Sequence, residues 1–255
     1  MLEATSILTH RDGRLSVIGI LSDAHGNIVA FRSAISHLKW LGAKEFYFLG
    51  DALGYIPSVE VVQELMNMGD EVKCILGNHE VMVLTQTTNP EREAIYQHRK
   101  VFSQLTKAHT AFCESWPTYL RESIAGSSLL FVHGSPNDFT NEYVYPDSDL
   151  TQFIVREDFV FMGHSHYPFV KKHNGVTFVN VGSCGLPRDD GRYGSCAMFV
   201  PETRNVLIYR YLIERPITDI PESFNQELHP SVIELFKRRS ESFIGQVLTK
   251  IETNL

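Results

Sequence analysis

Eight side chains that could bind a metal ion or transfer a proton occur in five short groups, and a glycine stands in or directly beside each group. They are Asp23, His25, Asp51, Asn78, His79, His133, His164 and His166. Carboxylate and amide oxygens combined with imidazole nitrogens, without a thiolate, suit hard to borderline divalent metal ions. A set of this size exceeds what one catalytic ion with open positions can use. It therefore predicts two ions that share one carboxylate.

The charge of the chain indicates which partners such a centre would attract. The formal net charge is −7 and the isoelectric point is about 5.9, which argues against a general affinity for nucleic acid or for anionic membranes. Two divalent ions held by Asp23 and Asp51 would nevertheless leave a local positive charge. We therefore expect an anionic substrate, and neither nucleic acid nor a membrane as partner.

Each of the five groups follows a short apolar run that predicts a buried β-strand. These runs cover residues 17–21, 46–49, 72–76, 129–132 and 159–162. Apolar residues at helical spacing between the first three runs predict alternating strands and helices, and hence parallel βαβ units. In such sheets ligands bind beyond the carboxyl ends of the strands. The sequence therefore predicts an α/β fold with the eight side chains along one edge.

Three further segments interrupt or follow this alternation. Residues 85–117 are polar and predicted to be helical, and this insertion either lies at the mouth of the site, where it could select substrate, or packs as plain helices. After residue 167, turn signals separate four strand-like runs that predict an antiparallel meander, at 169–172, 176–181, 195–200 and 206–211. Apolar spacing over 231–251 predicts a final helix in a C-terminal helical appendage.

The five groups, in this order, resemble the motifs of the calcineurin-like metallophosphoesterases, and the resemblance runs from about residue 17 to residue 211. It implies two packed mixed β-sheets flanked by helices, with the metals at one edge between them and the meander as the second sheet. We accordingly expect a metallophosphoesterase domain over 1–213, which includes the insertion at 85–117, and a C-terminal helical extension over 214–255.

The resemblance also implies a role for each of the eight side chains. One metal ion would be held by Asp23, His25, Asp51 and His166, and the other by Asp51, Asn78, His133 and His164, so that Asp51 bridges. His79 would remain unligated and assist the leaving group or the transition state. Phosphate esters or anhydrides would be hydrolysed by a metal-bridging hydroxide that attacks phosphorus in line, without a covalent enzyme intermediate. Manganese, iron and zinc all fit a site without sulfur, so the native pair stays open.

Two segments of the chain resemble one group within the family, and this resemblance bears on the substrate. The family resemblance as a whole narrows the anionic substrate to a small phosphorylated one, for example a nucleotide. Residues 54–57 and 180–189 are most similar to a bacterial group described as diadenosine-tetraphosphatase-like, which implies a dinucleoside polyphosphate. Protein serine/threonine phosphatases carry an aspartate and an arginine shortly after the Gly-Asp motif, where this chain has Gly54 and Tyr55. They also carry an arginine where this chain has Leu76, and the loss of these arginines disfavours a phosphoprotein substrate.

Other functions remain as alternatives. A nuclease or other phosphodiesterase, or a protein phosphatase of the same superfamily, would keep the chemistry and change the substrate. A regulatory module that kept the fold without catalysis would be expected to lose a metal ligand or His79, and this chain has lost neither. The intact motifs therefore favour an enzyme.

Three more residues carry weaker signals. Arg188 is a candidate for substrate binding, together with the candidate ligand Asn78. A guanidinium can bind two phosphate oxygens at once, but Arg188 could also be a surface arginine after a proline turn. Glu80 either orients a ligand histidine or caps the following helix. His98 lies in the insertion and is either a packing residue or part of the site.

The ends of the chain and its cysteines indicate a cellular compartment. Residues 1–16 lack a signal-peptide pattern, and no apolar run reaches the ~18 residues that a membrane span needs. The four cysteines have no C-x-x-C spacing, which favours buried reduced thiols. We expect a cytoplasmic protein, and the sequence leaves the oligomeric state undecided.

Overall fold

Two mixed β-sheets face each other in the computed structural model of this chain, which describes residues 15–213 and 228–248. The strands of these residues are β1 (Ile18–Leu21), β2 (Glu45–Phe48), β3 (Val72–Cys74), β4 (Tyr119–Ile124), β5 (Ser127–Val132), β6 (Phe159–Met162), β7 (Phe169–His173), β8 (Val176–Asn180), β9 (Tyr193–Val200), β10 (Asn205–Leu212) and β11 (Gln246–Leu248). The first sheet has the order β11-β10-β9-β1-β2-β3, and the second has the order β4-β5-β6-β8-β7. The predicted α/β fold of two mixed sheets is confirmed.

The helices lie outside the sheets and in the insertion. They are α1 (Ile28–Trp40), α2 (Glu60–Met68), α3 (Asn78–Thr85), α4 (Pro90–Tyr96), α5 (His98–Gln104), α6 (Lys107–Glu114) and α7 (Pro230–Lys237). Helix α1 begins where the Asn27 side chain accepts the backbone N–H of Ala30, and it packs on β1 and β9. The insertion is helical as predicted, because α4, α5 and α6 all lie within it.

Aromatic and branched side chains fill the space between the two sheets. Ile18 and Ile20 of β1 are buried there with Phe159 and Phe161 of β6. The rings of Tyr47 and Phe131 stack across this layer, with centroids 4.0 Å apart and planes 4° apart. Alternate residues of the first sheet point the other way, into the helices, so its central strands are buried on both faces.

The five motif strands are divided between the sheets. In the first sheet β1, β2 and β3 run parallel, and in the second sheet β5 and β6 run parallel. The prediction that all five groups share one edge therefore holds across two sheets, whose strand ends meet where the sheets face each other.

The predicted meander after residue 167 is wrong as a single unit. Strands β7 and β8 form a hairpin in the second sheet, but β9 and β10 join the first sheet, where β9 pairs antiparallel with β1. Turn signals show where a strand ends, but they do not determine its partner. The connection between β8 and β9 is long enough to cross between the sheets, and it passes Asp23, whose backbone C=O accepts the N–H of Gly185.

The predicted C-terminal helix is shorter than its apolar spacing suggested. Helix α7 ends at Lys237, and β11 adds an edge strand parallel to β10, so the appendage is not purely helical. Val232 and Phe236 of α7 pack on Ile56 and Leu186, close to the motif loops. Residues 214–227 and 249–255 lie outside the described residues, and the domain boundary at residue 213 stays a prediction.

The cysteine prediction is confirmed, because all four cysteines are buried and free. Within the described part of the chain, no helix is both long and apolar enough to cross a membrane.

Candidate metal centre

Backbone hydrogen bonds join the loops that follow the motif strands. The N–H of Asp23 donates to the C=O of Gly50 at 3.0 Å, and the N–H of His25 donates to the C=O of Asp51 at 2.9 Å. Across the two sheets, the N–H of His164 donates to Oδ2 of Asp23 at 3.0 Å. These hydrogen bonds therefore connect the two sheets at the loops that carry the candidate ligands.

Five of the candidate ligands have left-handed backbone conformations. Their φ angles lie between 48° and 63°, and they are Asp23, His25, Asp51, His164 and His166. Non-glycine residues are uncommon in this region, although Asp and His tolerate it better than most. Each such residue turns the chain sharply at the end of a strand, which directs its side chain into the space between the sheets.

The first group of ligand atoms comes from Asp23, His25 and His166. These three residues offer atoms that all lie within 4.8 Å of one another, and all three side chains are buried. Nε2 of His166 lies 3.2 Å from Oδ1 of Asp23 and 3.1 Å from Nε2 of His25. The structure thus brings together three of the four side chains predicted for one ion.

The second group comes from Asp51, His133 and His164, whose ligand atoms also lie within 4.8 Å of one another. Nε2 of His133 lies 3.1 Å from Nδ1 of His164 and 3.1 Å from Oδ1 of Asn78. All four side chains predicted for the second ion therefore meet in one place.

Asp51 connects the two groups. Its Oδ2 lies 3.3 Å from Nε2 of His133 and 3.6 Å from Nε2 of His25. One carboxylate oxygen thus faces an imidazole of each group, which is the position that a shared ligand requires.

The hydrogen bonds on the outer side of the imidazoles determine which nitrogen faces the centre. Since a backbone C=O only accepts, each bonded ring nitrogen must carry a proton. The four pairs are His25 Nδ1 with Leu53 at 3.0 Å, His133 Nδ1 with Leu49 at 2.7 Å, His164 Nε2 with Asn141 at 2.9 Å, and His166 Nδ1 with Leu186 at 2.5 Å. In a neutral imidazole the other nitrogen then carries a lone pair, and the four lone pairs converge.

This arrangement fits metal ions better than it fits a protein core. Two imidazole nitrogens 3.1 Å apart with facing lone pairs repel each other unless a cation or a proton lies between them. Oδ1 of Asp23 is buried and has no hydrogen-bond partner. Buried carboxylates need a compensating charge, so the donor set matches divalent ions in type and in charge.

Electrostatics support the same conclusion. Burial lowers the pKa of His25 to about 3 and the pKa of His164 to about 4, so both rings are neutral at pH 7. Burial would also lower the pKa of His133, but the Asp51 carboxylate outweighs it and raises that pKa to about 9. Burial would raise the pKa of Asp23, yet His166 holds it well below its usual range. The carboxylates are therefore charged, and without a metal the nearby positive charges include the protonated His133 and the guanidinium of Arg188.

His79 stands beside both groups and in contact with the insertion. A ligand atom of His79 lies within 4.8 Å of ligand atoms of His25 and Asp51. Its Nδ1 lies 2.7 Å from Nε2 of His98, and its ring contacts the ring of Tyr96 with centroids 4.8 Å apart. Of the two predictions for the insertion, the structure supports the one that places it at the site.

Arg188 is half-buried near the same centre and is not a surface arginine. Its Nη2 donates to the hydroxyl of Tyr55 at 3.1 Å, and its charge lowers the pKa of His166 in addition to the larger effect of burial. It also interacts with the Tyr143 hydroxyl, and the Tyr143 ring stacks on His164 with centroids 3.9 Å apart. The guanidinium therefore contacts two phenol groups and lies close enough to His166 to affect its charge.

Glu80 caps its helix and also supports the loop of Asp51. Its carboxylate accepts the N–H groups of Asp51 at 2.7 Å, Leu53 at 3.0 Å and Gly77 at 3.0 Å. These contacts agree with the capping alternative and extend it to the residue that connects the two ligand groups.

Three tyrosines of the site did not emerge as candidates from the motifs. Tyr55 follows the Gly-Asp motif, Tyr96 belongs to α4 of the insertion, and Tyr143 lies in the long connection between β5 and β6. Only the aromatic clustering of Tyr143 and Tyr145 in an otherwise polar segment could have pointed to that connection.

Comparisons with known proteins agree with the fold and the motif set. The family model described as the calcineurin-like phosphoesterase superfamily domain matches residues 17–204. An uncharacterized protein of Methanocaldococcus jannaschii is 29% identical over 218 residues, which cover 76% of this chain and 87% of that protein. The zinc-dependent endopolyphosphatase of Saccharomyces cerevisiae is 35% identical over 89 residues, which cover 34% of this chain and 27% of that enzyme.

Among solved structures, a metallophosphoesterase from Sphaerobacter thermophilus superposes with a TM-score of 0.71 at 23% identity. The superposition covers 88% of this chain and 99% of that one. At this identity the similarity shows a shared fold.

Proposed function

The chain belongs to the calcineurin-like phosphoesterase superfamily, and from this premise we propose that it hydrolyses phosphate esters or anhydrides with two divalent metal ions. The observation that carries the proposal is the pair of ligand groups that meet at Oδ2 of Asp51. When bound, two such ions supply Lewis-acid stabilisation of charge on the phosphoryl group and a hydrolytic nucleophile.

The side chains of this site would then have different roles. Asp23, His25 and His166 with Asp51 would hold one ion, and Asn78, His133 and His164 with Asp51 would hold the other. Manganese, iron or zinc would suit these oxygen and nitrogen donors. His79 would be outside both sets, and its proximity to His25 and Asp51 supports a role at the leaving group or at a phosphoryl oxygen.

The surroundings of Arg188 favour an anion as its binding partner. Within the part of the chain that the structure describes, its guanidinium has no carboxylate partner at ion-pair distance, and its neighbours Tyr55 and Tyr143 are neutral phenols. A guanidinium that is half-buried without a carboxylate is suited to a phosphate group, which it can bind with two hydrogen bonds.

Tyrosine rings near Arg188 favour a nucleotide as the phosphorylated substrate. Tyr143 and Tyr145 are 43% and 37% exposed, and their rings stack with planes 11° apart. Stacking of a base on an aromatic side chain contributes about 1–3 kcal/mol. We propose a dinucleoside polyphosphate as the leading substrate, and the similarity to an endopolyphosphatase also favours phosphoanhydride bonds.

A substrate panel tests the proposal. The manganese-loaded protein would be assayed with diadenosine tetraphosphate, an aryl phosphate diester, an aryl phosphate monoester and a phosphopeptide. We expect the highest kcat/KM on diadenosine tetraphosphate. Protein with Asp51→Asn, purified in parallel, controls for contaminating phosphatases.

The other results of the panel contradict the proposal at different levels. A preference for the diester or the phosphopeptide would keep the chemistry and replace the substrate by one of the alternatives. Failure to hydrolyse any of the four compounds, with two metal ions bound, would point to a regulatory module instead.

A further inference from the structure

A line of three side chains leads from the candidate centre into the insertion. His79 Nδ1 lies 2.7 Å from His98 Nε2, and His98 Nδ1 lies 2.5 Å from the hydroxyl oxygen of Thr88. Both histidines are buried. A contact of this length between two ring nitrogens requires a proton on one of them and a lone pair on the other.

Space for this contact is provided by Gly54. A Cβ atom at that position would lie 2.2 Å from Nδ1 of His79, and the backbone there is left-handed with a φ of 87°. Any side chain at residue 54 would therefore displace His79 from His98. The glycine that follows the Gly-Asp motif thus keeps the edge of His79 open to the insertion.

Two proton arrangements satisfy the line, and only one gives His79 a donor at Nε2. If His79 donated through Nδ1, a neutral ring would carry only a lone pair on Nε2 and could offer no N–H to a leaving group. If His98 donates instead, a neutral His79 carries its proton on Nε2, which is then free to act as a donor. Thr88 completes the second arrangement, because its hydroxyl can donate to Nδ1 of His98.

We infer that His98, supported by Thr88, is a positioning residue that donates from Nε2 to Nδ1 of His79 and so keeps the Nε2–H of His79 directed into the site. The inference rests on the proposed phosphoester hydrolysis, for which the Nε2–H of His79 would donate a hydrogen bond to the leaving-group oxygen as charge develops on it. It gives the insertion a direct part in the reaction through its effect on His79.

A spectroscopic measurement tests the inference without activity. Two-bond ¹H–¹⁵N correlations of the histidine rings in the zinc-loaded protein would show which nitrogen of His79 carries the proton, with the signals assigned by His79→Gln. We expect protonation at Nε2 in the wild type and a mixture of tautomers in His98→Ala. Protonation of His79 at Nδ1 in the wild type would overturn the inference, even if the protein hydrolyses phosphate esters.

Kinetics test the consequence for the reaction. Substitution of a residue that orients an active-site group costs about 10- to 100-fold. We expect His98→Ala to lower kcat by this factor on an alkyl phosphate ester and by less on a nitrophenyl ester, with two metal ions retained. His98→Gln keeps an N–H donor and should recover part of the loss, and Thr88→Val should lose more than Thr88→Ser.

The insertion offers a matched control and a chemical rescue. His109 is also buried there, but it bonds to Gln63 of α2, away from the site, so His109→Ala should leave the dependence on the leaving group unchanged. A cavity of about 200 Å³ adjoins His98 and Thr88, so added imidazole should enter and raise kcat of His98→Ala.

Equal losses on both esters in His98→Ala, or an effect matched by His109→Ala, would show that His98 only supports the fold. If the wild type hydrolyses neither ester, the proposed function fails, and the tautomer measurement still decides what His98 does.

Discussion

The backbone N–H of His79 donates to Oδ1 of Asp51 at 2.9 Å, so the two oxygens of this carboxylate have different roles. Oδ1 is occupied by a hydrogen bond, whereas Oδ2 lies between His25 and His133. Only Oδ2 is therefore available to both ligand groups, and the bond through Oδ1 fixes its position.

Asp51→Asn should cost more activity than a substitution of any other single candidate ligand. The amide can still accept from His79 through its oxygen, so the fold should persist. Its nitrogen, however, would replace Oδ2 and carries neither charge nor a lone pair for two ions. We expect loss of turnover and less than two metal equivalents by elemental analysis, compared with Asn78→Ala and His166→Gln. A variant with two metals and near-normal turnover would mean that the bridge is assigned to the wrong residue.

Chelation should abolish hydrolysis and lower the Tm. The purified protein should bind two metal ions per chain, because the ligand atoms form two groups. An ion present at 100 times its Kd stabilises the folded state by about 2.7 kcal/mol, so each ion removed should be detectable in thermal unfolding. A metal content that never exceeds one equivalent after reconstitution would contradict the two-ion assignment.

His79→Ala should keep both metal ions and lose turnover. Proton donation to a leaving group contributes roughly 10²- to 10⁴-fold, and the loss should be largest for an alkyl leaving group and small for nitrophenolate, which needs little protonation. The measurement is kcat on both esters together with the metal content. If the variant loses an ion, or loses the same factor on both esters, His79 is a ligand or an electrostatic support.

Arg188→Ala should weaken substrate binding. A hydrogen bond to a charged group contributes about 1.5–3 kcal/mol, which corresponds to roughly 10- to 150-fold in kcat/KM. The kcat/KM of Arg188→Lys should lie between those of the wild type and Arg188→Ala, because an ammonium keeps the charge but lacks the planar pair of donors. Arg204→Ala, which removes an exposed ion pair with Asp158, is the matched control. Equal kcat/KM in all four proteins would exclude Arg188 from substrate binding.

Glu80→Gln should destabilise the protein. Both oxygens of Glu80 accept backbone N–H groups, so in glutamine the NH₂ group would face one of these donors and leave it without an acceptor. An unsatisfied buried donor costs about 1–3 kcal/mol. Chemical denaturation of the metal-free proteins would measure this difference in the free energy of unfolding. Glu234→Gln, at an exposed ion pair with Lys237, should change it little. An unchanged free energy for Glu80→Gln would show that the carboxyl is not needed as a double acceptor.

The convergence of the candidate ligands within each sheet was predictable from the sequence because each group follows a strand. Asp23 and Asp51 follow parallel strands of the first sheet, and His133 and His164 follow parallel strands of the second, so strand polarity alone brings the members of each pair to one edge. Pairing between distant strands was not predictable in this way. β9 joined the first sheet through β1, and β4 escaped detection because its alternating, half-exposed pattern lacks a strong apolar run.

The contacts of the insertion with the centre were also beyond the sequence. Two short helices separated by Gln97 in a left-handed conformation bring Tyr96 and His98 to the same histidine. Helical spacing shows where these helices form, but the angle between them depends on a single backbone conformation. The same holds for Tyr143, since its connection has no periodicity from which a contact with His164 could be inferred.

The left-handed strand ends have an evolutionary consequence. An L-residue in this conformation costs roughly 1–2 kcal/mol relative to the right-handed one, and glycine avoids most of that cost. In a copy of this chain released from catalysis, glycine at His25, His164 or His166 would relieve this strain. At Asp23 or Asp51 it would also remove the carboxylate that accepts the backbone N–H of His164 or His79, so little would be gained there. Loss of the ligand set would therefore begin at the histidine turns, and the two aspartates would persist longer because they also hold the loops together.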